Sequence, residues 1–249
     1  MIAQVVLTVA ESKRLIARGI AADARVKAAL KQGIVAVAKG TTNAYVVEEL
    51  LGKEIDKSRY VTGCVIPAKR KGAGLDASLP DVVLRDGKPL EGATVKAIVR
   101  EMRQGDVFIK GANALNYERR QAATLIGDAT GGTLGATLGT IIGKKVTLLT
   151  PVGLEKNVPG DLAALARLIA EERRTKPPVF ALWLTPGEIF TEIEALKVLA
   201  DVEALPCAAG GVADAEGSIR LLLRADHPKM NKALRVLRTI QGEPPFLPD

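Results

Sequence analysis

Apolar positions along this chain fall into two spacings. Short runs rich in Val and Ile read as strands, and between them apolar residues recur every three or four positions, as on one face of a helix. Leu15, Ile16 and Ile20 mark a first helix, preceded by a β-rich run over 5–9, and a second helical stretch over 26–30 stops at Gly33. Residues 34–38 (IVAVA) form a compact strand pattern. In the helix expected over 44–51, Val46 is followed by Leu50 and Val47 by Leu51 at i,i+4 spacing, and Gly52 ends it. Further strands are expected at 61–67, 107–109 and 145–150, with a hairpin over 81–90 turning at Asp86-Gly87. Helices are expected over 94–102 and from Asp161 through Leu162, Leu165 and Ile169. This alternation predicts an α/β fold: a Rossmann-like, mostly parallel sheet with helices on both faces, across residues 1–170.

The charged, proline-ended stretch 171–178 (EERRTKPP) reads as a linker. Beyond it come a strand at 179–184, a helix at 185–200, strands at 205–209 and 218–224, and a helix at 228–240. Thr185-Pro186-Gly187-Glu188 has the form of a capping box with Pro at N1, and Ile189, Ile193, Leu196 and Ala200 supply a buried stripe. This order predicts a small C-terminal ferredoxin-like α+β domain over 179–249.

Composition narrows the partners. With 249 residues, 47% hydrophobic, the chain has material for one sizeable α/β domain and a small companion. Aromatics are only 3%, so the core is aliphatic, and the net charge of +7 favours an anionic partner. Nucleic acid is disfavoured, because the basic residues are scattered and Tyr45, Tyr60, Tyr117 and Trp183 form no stacking series with them. Cys64 and Cys207 stand far apart without a CxxC, and His227 is the only histidine. That argues against a disulfide scaffold, a zinc cluster and HExxH chemistry, and it suits a reducing cytoplasm. No metal set is expected, and no cofactor is indicated. The apolar residues 1–10 lack a basic leader and run into Glu11, and 131–143 is too short to span a bilayer. A soluble cytoplasmic protein is expected.

Three segments carry candidate chemistry. After strand 34–38, Gly40 permits a tight turn or close approach, and Thr41, Thr42 and Asn43 are all N-cap types. The first N–H groups of the helix lack internal partners and sit at its positive end, so an anion fits there; an ordinary capped turn is the competing explanation. The second segment, 106–116 (DVFIKGANALN), ends a strand in Lys110 and Gly111, with Asn113 and Asn116 close behind. Lys110 is suited to a phosphate or carboxylate and the asparagines to hydroxyls, unless they serve only local backbone groups. In the third, 127–143, Gly131, Gly132 and Thr133 have the makings of an anion nest, with Asp128 beside them. Gly135, Gly139 and Gly143 suit close helix packing, internal or against a second copy in a homo-oligomer. Other motifs fail: 72–77 matches a relaxed dinucleotide fingerprint but meets Pro80 too soon, and 139–144 is one residue short of a P-loop. Cys64 and His227 read as a buried small residue and a helix-start residue.

The order strand-GTT-helix (VAKGTTNAYVVEELL), then DVFIKGANALN, then VTLLTPVGLEK resembles the superfamily of ribose-5-phosphate isomerase, glucosamine-6-phosphate deaminase, DeoR-type sugar-phosphate sensors and CoA transferases (NagB/RpiA/CoA transferase-like). The likeness covers about 34–156 through short motifs. It implies that Gly40, Thr41 and Thr42 bind phosphate, that Gly111, Ala112 and Asn113 face a sugar, and that Lys156 closes the site. Two departures stand out: Asn113 replaces the Asp of the sugar-phosphate enzymes, and the small α+β unit trails the core instead of interrupting it. The expectation is therefore a protein binding a small anionic metabolite, a phosphosugar or similar phosphorylated compound. The alternatives are an isomerase or CoA-transferase-type enzyme, with Asp128 or Glu155 as its catalytic acid, and a structural protein with no ligand.

Overall fold

The computed structural model describes residues 1–62, 65–66, 69, 76–171 and 179–247. Its centre is a mixed sheet of six strands. Strands β2 (Ile34–Val37), β5 (Val107–Ile109), β8 (Thr147–Pro151) and β10 (Glu188–Phe190) run parallel, and β3 (Val82–Arg85) and β4 (Lys88–Pro89) extend the β2 edge as an antiparallel hairpin. The hairpin turns where expected: Asp86 and Gly87 take φ of 50° and 76°, the left-handed pair that a two-residue turn requires.

The period-2 alternation of the short strands decides the layers. Val35, Val37, Val107, Ile109 and Leu149 pack in one core with helices α1 (Val9–Ala22), α2 (Ala24–Lys31), α3 (Thr41–Leu51) and α7 (Glu192–Ala200). Ile34, Ala36, Val83, Phe108 and Leu148 fill a second core with α4 (Val95–Ile98) and α5 (Gly132–Gly143). Helices thus cover both faces, as expected of an α/β sheet.

Two three-stranded antiparallel sheets flank this centre. One joins β6 (Ala114–Asn116), β7 (Gln121–Ile126) and β9 (Ala181–Thr185), with α6 (Leu162–Glu171) packed on it. The other joins β1 (Ile2–Leu7), β12 (Ile219–Arg224) and β11 (Glu203–Ala209), and α8 (His227–Arg238) packs beside α7. The expected division into 1–170 and 179–249 is corrected by these pairings, since β1 pairs with β12, β7 with β9 and β8 with β10. Strands from either side of the expected linker complete one another's hydrogen bonding; of that linker, 172–178 lies outside the described residues.

Other expectations shift locally. The helix expected over 185–200 begins at Glu192, because Glu188–Phe190 is taken into the central sheet. Its capping box is Thr191 with Glu194, a second T-x-x-E one turn and a half further along. In the β-rich run expected over 61–67, the described residues 61–62 and 65–66 form no strand, and Cys64 lies outside the described residues, as do 72–75 of the 72–77 motif. Close packing of the 135–143 glycine face is not formed within the chain: Gly135, Gly139 and Gly143 are exposed, nothing lies within 4 Å of the Cβ positions of Gly139 and Gly143, and a Cβ on Gly135 would meet only Thr130 in the loop leading into the same helix. No helix among the described residues is long and apolar enough to cross a membrane.

Candidate functional site

Adjacent parallel strands deliver their C-terminal ends to one edge of a sheet. Here Val37, Ile109 and Leu149 stand in register on β2, β5 and β8, so the segments that follow them emerge side by side. The result is a cavity of about 1260 Å³. Gly40, Thr41, Thr42 and Asn43 line it after β2, Lys110, Gly111 and Asn113 after β5, and Glu155 and Lys156 after β8. Asp128, Gly131, Gly132 and Thr133 line it from the loop between β7 and α5. Except for Asn116, the candidate site residues singled out from sequence therefore line one cavity, though their individual surroundings differ from expectation.

The β2–α3 turn is open at its helix end. Gly40 itself is the N-cap and makes no side-chain cap, while Thr41, Thr42 and Asn43 occupy the first turn instead of capping it. Gly40 has an extended backbone and a Cβ there would meet nothing closer than 3.9 Å, so the fold makes no demand for glycine at this position. The Thr42 hydroxyl and the Asn43 Oδ1 are buried without a hydrogen-bond partner. Asn43 spends its Nδ2 on the Ala38 carbonyl at 2.6 Å, fastening the helix start to the end of β2.

Ammonium groups converge opposite this turn. Lys110 Nζ donates to the Gly111 carbonyl at 3.2 Å and Lys156 Nζ to the Ala112 carbonyl at 3.3 Å. Lys13, from α1, enters the same cavity with its Nζ 5.2 Å from the centre of the Phe246 ring. Burial, with repulsion from Lys156, lowers Lys110 to about 8. Burial and Lys156 lower Lys13 to about 8 as well, against an opposing pull from Glu155.

Glu155 is the best-placed acid. Its Oε2 is buried without a partner and its Oε1 lies 3.9 Å from Lys156 Nζ. Its turn, Leu154–Lys156, is held from below by Glu192, whose carboxylate accepts the Leu154 N–H at 3.0 Å. Burial first, then the neighbouring Glu155, pushes the Glu192 carboxyl upward.

Asp128 and the glycine nest serve each other. Asp128 Oδ1 accepts from the Thr130 N–H and hydroxyl and from the Gly132 N–H, while its carbonyl accepts from Gly131. These bonds, led by the Thr130 hydroxyl, hold its carboxyl below the usual carboxylate range. The nest expected to receive a ligand anion is thus occupied by the protein's own carboxylate, through the Gly132 N–H. Asn113 is half committed, its Oδ1 accepting from the Leu125 N–H at 3.1 Å. Asn116 is wholly committed, to the Gly160 carbonyl and the Arg119 N–H.

Sequence reasoning missed Lys13 and Glu192, yet each left a trace. Lys13 stands three, four and seven positions before Ile16, Ala17 and Ile20, inside the stripe that α1 buries. Glu192 stands likewise before Ala195 and Leu196. A charged residue on the buried stripe of a helix needs a local reason to be there. No protein-family model matches this chain, and neither a curated protein nor a solved structure matches it.

Proposed function

We propose that this chain binds a small phosphorylated metabolite in the cavity at the ends of β2, β5 and β8, with the phosphate on the first turn of α3. The observation that carries the reading is the uncapped start of α3, with the orphaned Thr42 hydroxyl beside it and Lys110, Lys156 and Lys13 lining the same space. Unpaired helix N–H groups and the positive end of the dipole favour an anion there. A buried hydroxyl with no protein partner is costly unless a ligand supplies one.

The reading includes kinship with the phosphosugar-isomerase-like superfamily and its Rossmann-like core. What supports this is the placement of the GTT, GAN and GLEK motifs after three neighbouring parallel strands. At about 1260 Å³ the cavity exceeds the roughly 300–1,000 Å³ typical of small-molecule sites. A phosphosugar therefore leaves room for a further moiety.

A second reading, catalysis on that metabolite, is favoured by Glu155, whose buried oxygen has no structural partner. Proton transfer or acyl transfer needs a carboxylate of that kind within reach of the reacting atom. A thermal-shift screen of inorganic phosphate, sugar phosphates, nucleotides and CoA esters tests the binding reading, since a ligand of the native state raises Tm by mass action. A hit whose effect is lost in Thr42→Val supports it, and a flat response to all four classes refutes it. Incubating the hit with wild type and Glu155→Gln then separates binder from enzyme.

A further inference from the structure

We propose that Lys110 is an amine nucleophile that forms an imine with an aldehyde or ketone carbonyl of the metabolite held in this cavity. The inference rests on the anion-binding reading for the identity of the bound molecule, while the reactivity of the amine comes from its own surroundings.

Lys110 follows β5 directly and lies in the cavity wall. Its Nζ donates to the carbonyl of its own chain neighbour Gly111, and among the described residues no carboxylate oxygen lies within 4.0 Å of it. The ammonium beside it, Lys156, has both the Ala112 carbonyl and the Glu155 carboxylate. Among Lys13, Lys110 and Lys156, Lys156 has the Glu155 carboxylate at 3.9 Å and Lys13 feels its pull, so Lys110 is the cation with the least compensation for its charge. Burial combined with an adjacent cation is a standard means of making a lysine nucleophilic. Burial and the neighbouring ammonium hold its pKa at about 8, so far more of Lys110 is neutral near neutral pH than of an ordinary lysine.

The anion site adjoins it. The start of α3 and the Lys110 turn touch through Asn43, whose Oδ1 lies 3.7 Å from where a Cβ of Gly111 would be. A phosphate on the α3 turn therefore leaves the rest of the metabolite over the end of β5. In the reaction the Nζ lone pair attacks the carbonyl carbon, and the C=O π pair moves to oxygen, which takes up a proton. Loss of the remaining ammonium proton and departure of water then leave the C=N bond. The step releases one water and needs no oxidant or reductant. Glu155, with an unpartnered oxygen in the same cavity, is the group placed to take and return the proton.

The test uses pyridoxal 5′-phosphate, an aldehyde that carries a phosphate, with borohydride to reduce any imine and mass spectrometry to locate it. The expected result is an adduct on Lys110 exceeding that on the exposed Lys232 by roughly tenfold or more, half-maximal near pH 8. Lys110→Arg should abolish that adduct, and the rise in Tm with inorganic phosphate is read separately on the wild-type protein. Lys156→Met should move the half-maximal pH upward, which a purely structural lysine would not explain. Adducts spread evenly over surface lysines, or concentrated on Lys13 or Lys156, overturn the assignment. A phosphate-induced rise in Tm without the Lys110 adduct removes the imine and leaves the anion site; the adduct without that rise removes the anion site and leaves the nucleophile.

Discussion

The carboxylate of Glu155 occupies the space that a side chain on Gly153 would fill. A Cβ at residue 153 would lie 1.7 Å from Oε2 and 2.6 Å from Cδ of Glu155. Gly153 has an ordinary φ of −74°, so glycine is needed there for space and not for backbone conformation.

Gly153→Ala should therefore spare the backbone and displace the Glu155 carboxylate, because a flexible side chain yields before the main chain does. The expected outcome is a protein of near-native Tm that behaves like Glu155→Gln in any reaction it catalyses. Comparing the two variants in one turnover or imine-trapping assay checks this. A native-like rate in Gly153→Ala together with a defective Glu155→Gln would contradict it.

Thr42→Val removes a buried hydroxyl that has no partner in the protein, at nearly constant volume. Stability should hold or rise slightly, while affinity for inorganic phosphate falls on the order of tenfold, the scale of one hydrogen bond to a charged group. Calorimetry on the wild type and on Thr42→Val separates the two quantities. A clear loss of stability would mean that the hydroxyl serves the fold.

Anion binding should weaken as pH rises through 8. Lys13 and Lys110 both have pKa values lowered to about 8, burial being the first cause. A bound anion favours their charged forms and raises those values, so binding near pH 8 takes up protons. Titration calorimetry in buffers of different ionisation enthalpy measures that uptake directly. In the free protein the sign is opposite: between about 8 and the ordinary lysine value of 10.5 the unfolded state holds more protons, so these two groups add stability as pH rises. Lys110→Met should flatten that rise.

Asp128→Ala should leave phosphate affinity at the α3 turn unchanged while loosening the loop into α5. The carboxylate Oδ1 accepts from Thr130 and Gly132, which commits it to its own loop. A lower Tm with unchanged affinity is the expected pair of results. Loss of binding or turnover at unchanged Tm would return Asp128 to the chemistry.

Arg14→Met tests what holds the C-terminal segment over the cavity. Arg14 joins Glu48 on α3 to Glu243 near the C-terminus, and Phe246 then packs against Tyr45 and Lys13. Removing the guanidinium strands Glu243, while Glu48 keeps Lys57 and the Ile55 N–H, so the expected cost is about 2 kcal/mol, the scale of hydrogen bonds to a charged group. A urea midpoint within error of wild type would show that the network contributes little.

Local chemistry made the essentials of the site legible. The β-branched runs at 34–37, 107–109 and 147–151 could be recognised as strands, and glycine, hydroxyl, amide and lysine residues after them as strand-end segments. The Asp86-Gly87 turn was readable because a two-residue hairpin admits few residues. β6 and β7 were not, since neither carries enough alternating apolar residues to stand out from a loop. The capping box was misplaced because two T-x-x-E patterns lie six residues apart, and only pairing with β8 excludes Glu188–Phe190 from the helix.

The amino-acid order alone determined that this is a strand-and-helix protein with an aliphatic core and a glycine-threonine turn after its IVAV strand. Tertiary structure decided that the two ends of the chain share a sheet, β1 with β12, and that Lys13 and Glu192 border a site whose other parts lie far away in sequence. The reason is physical. Periodicity and turn chemistry act over a few residues and leave their mark locally, whereas strand partners and buried charges are chosen by which distant surfaces complete one another.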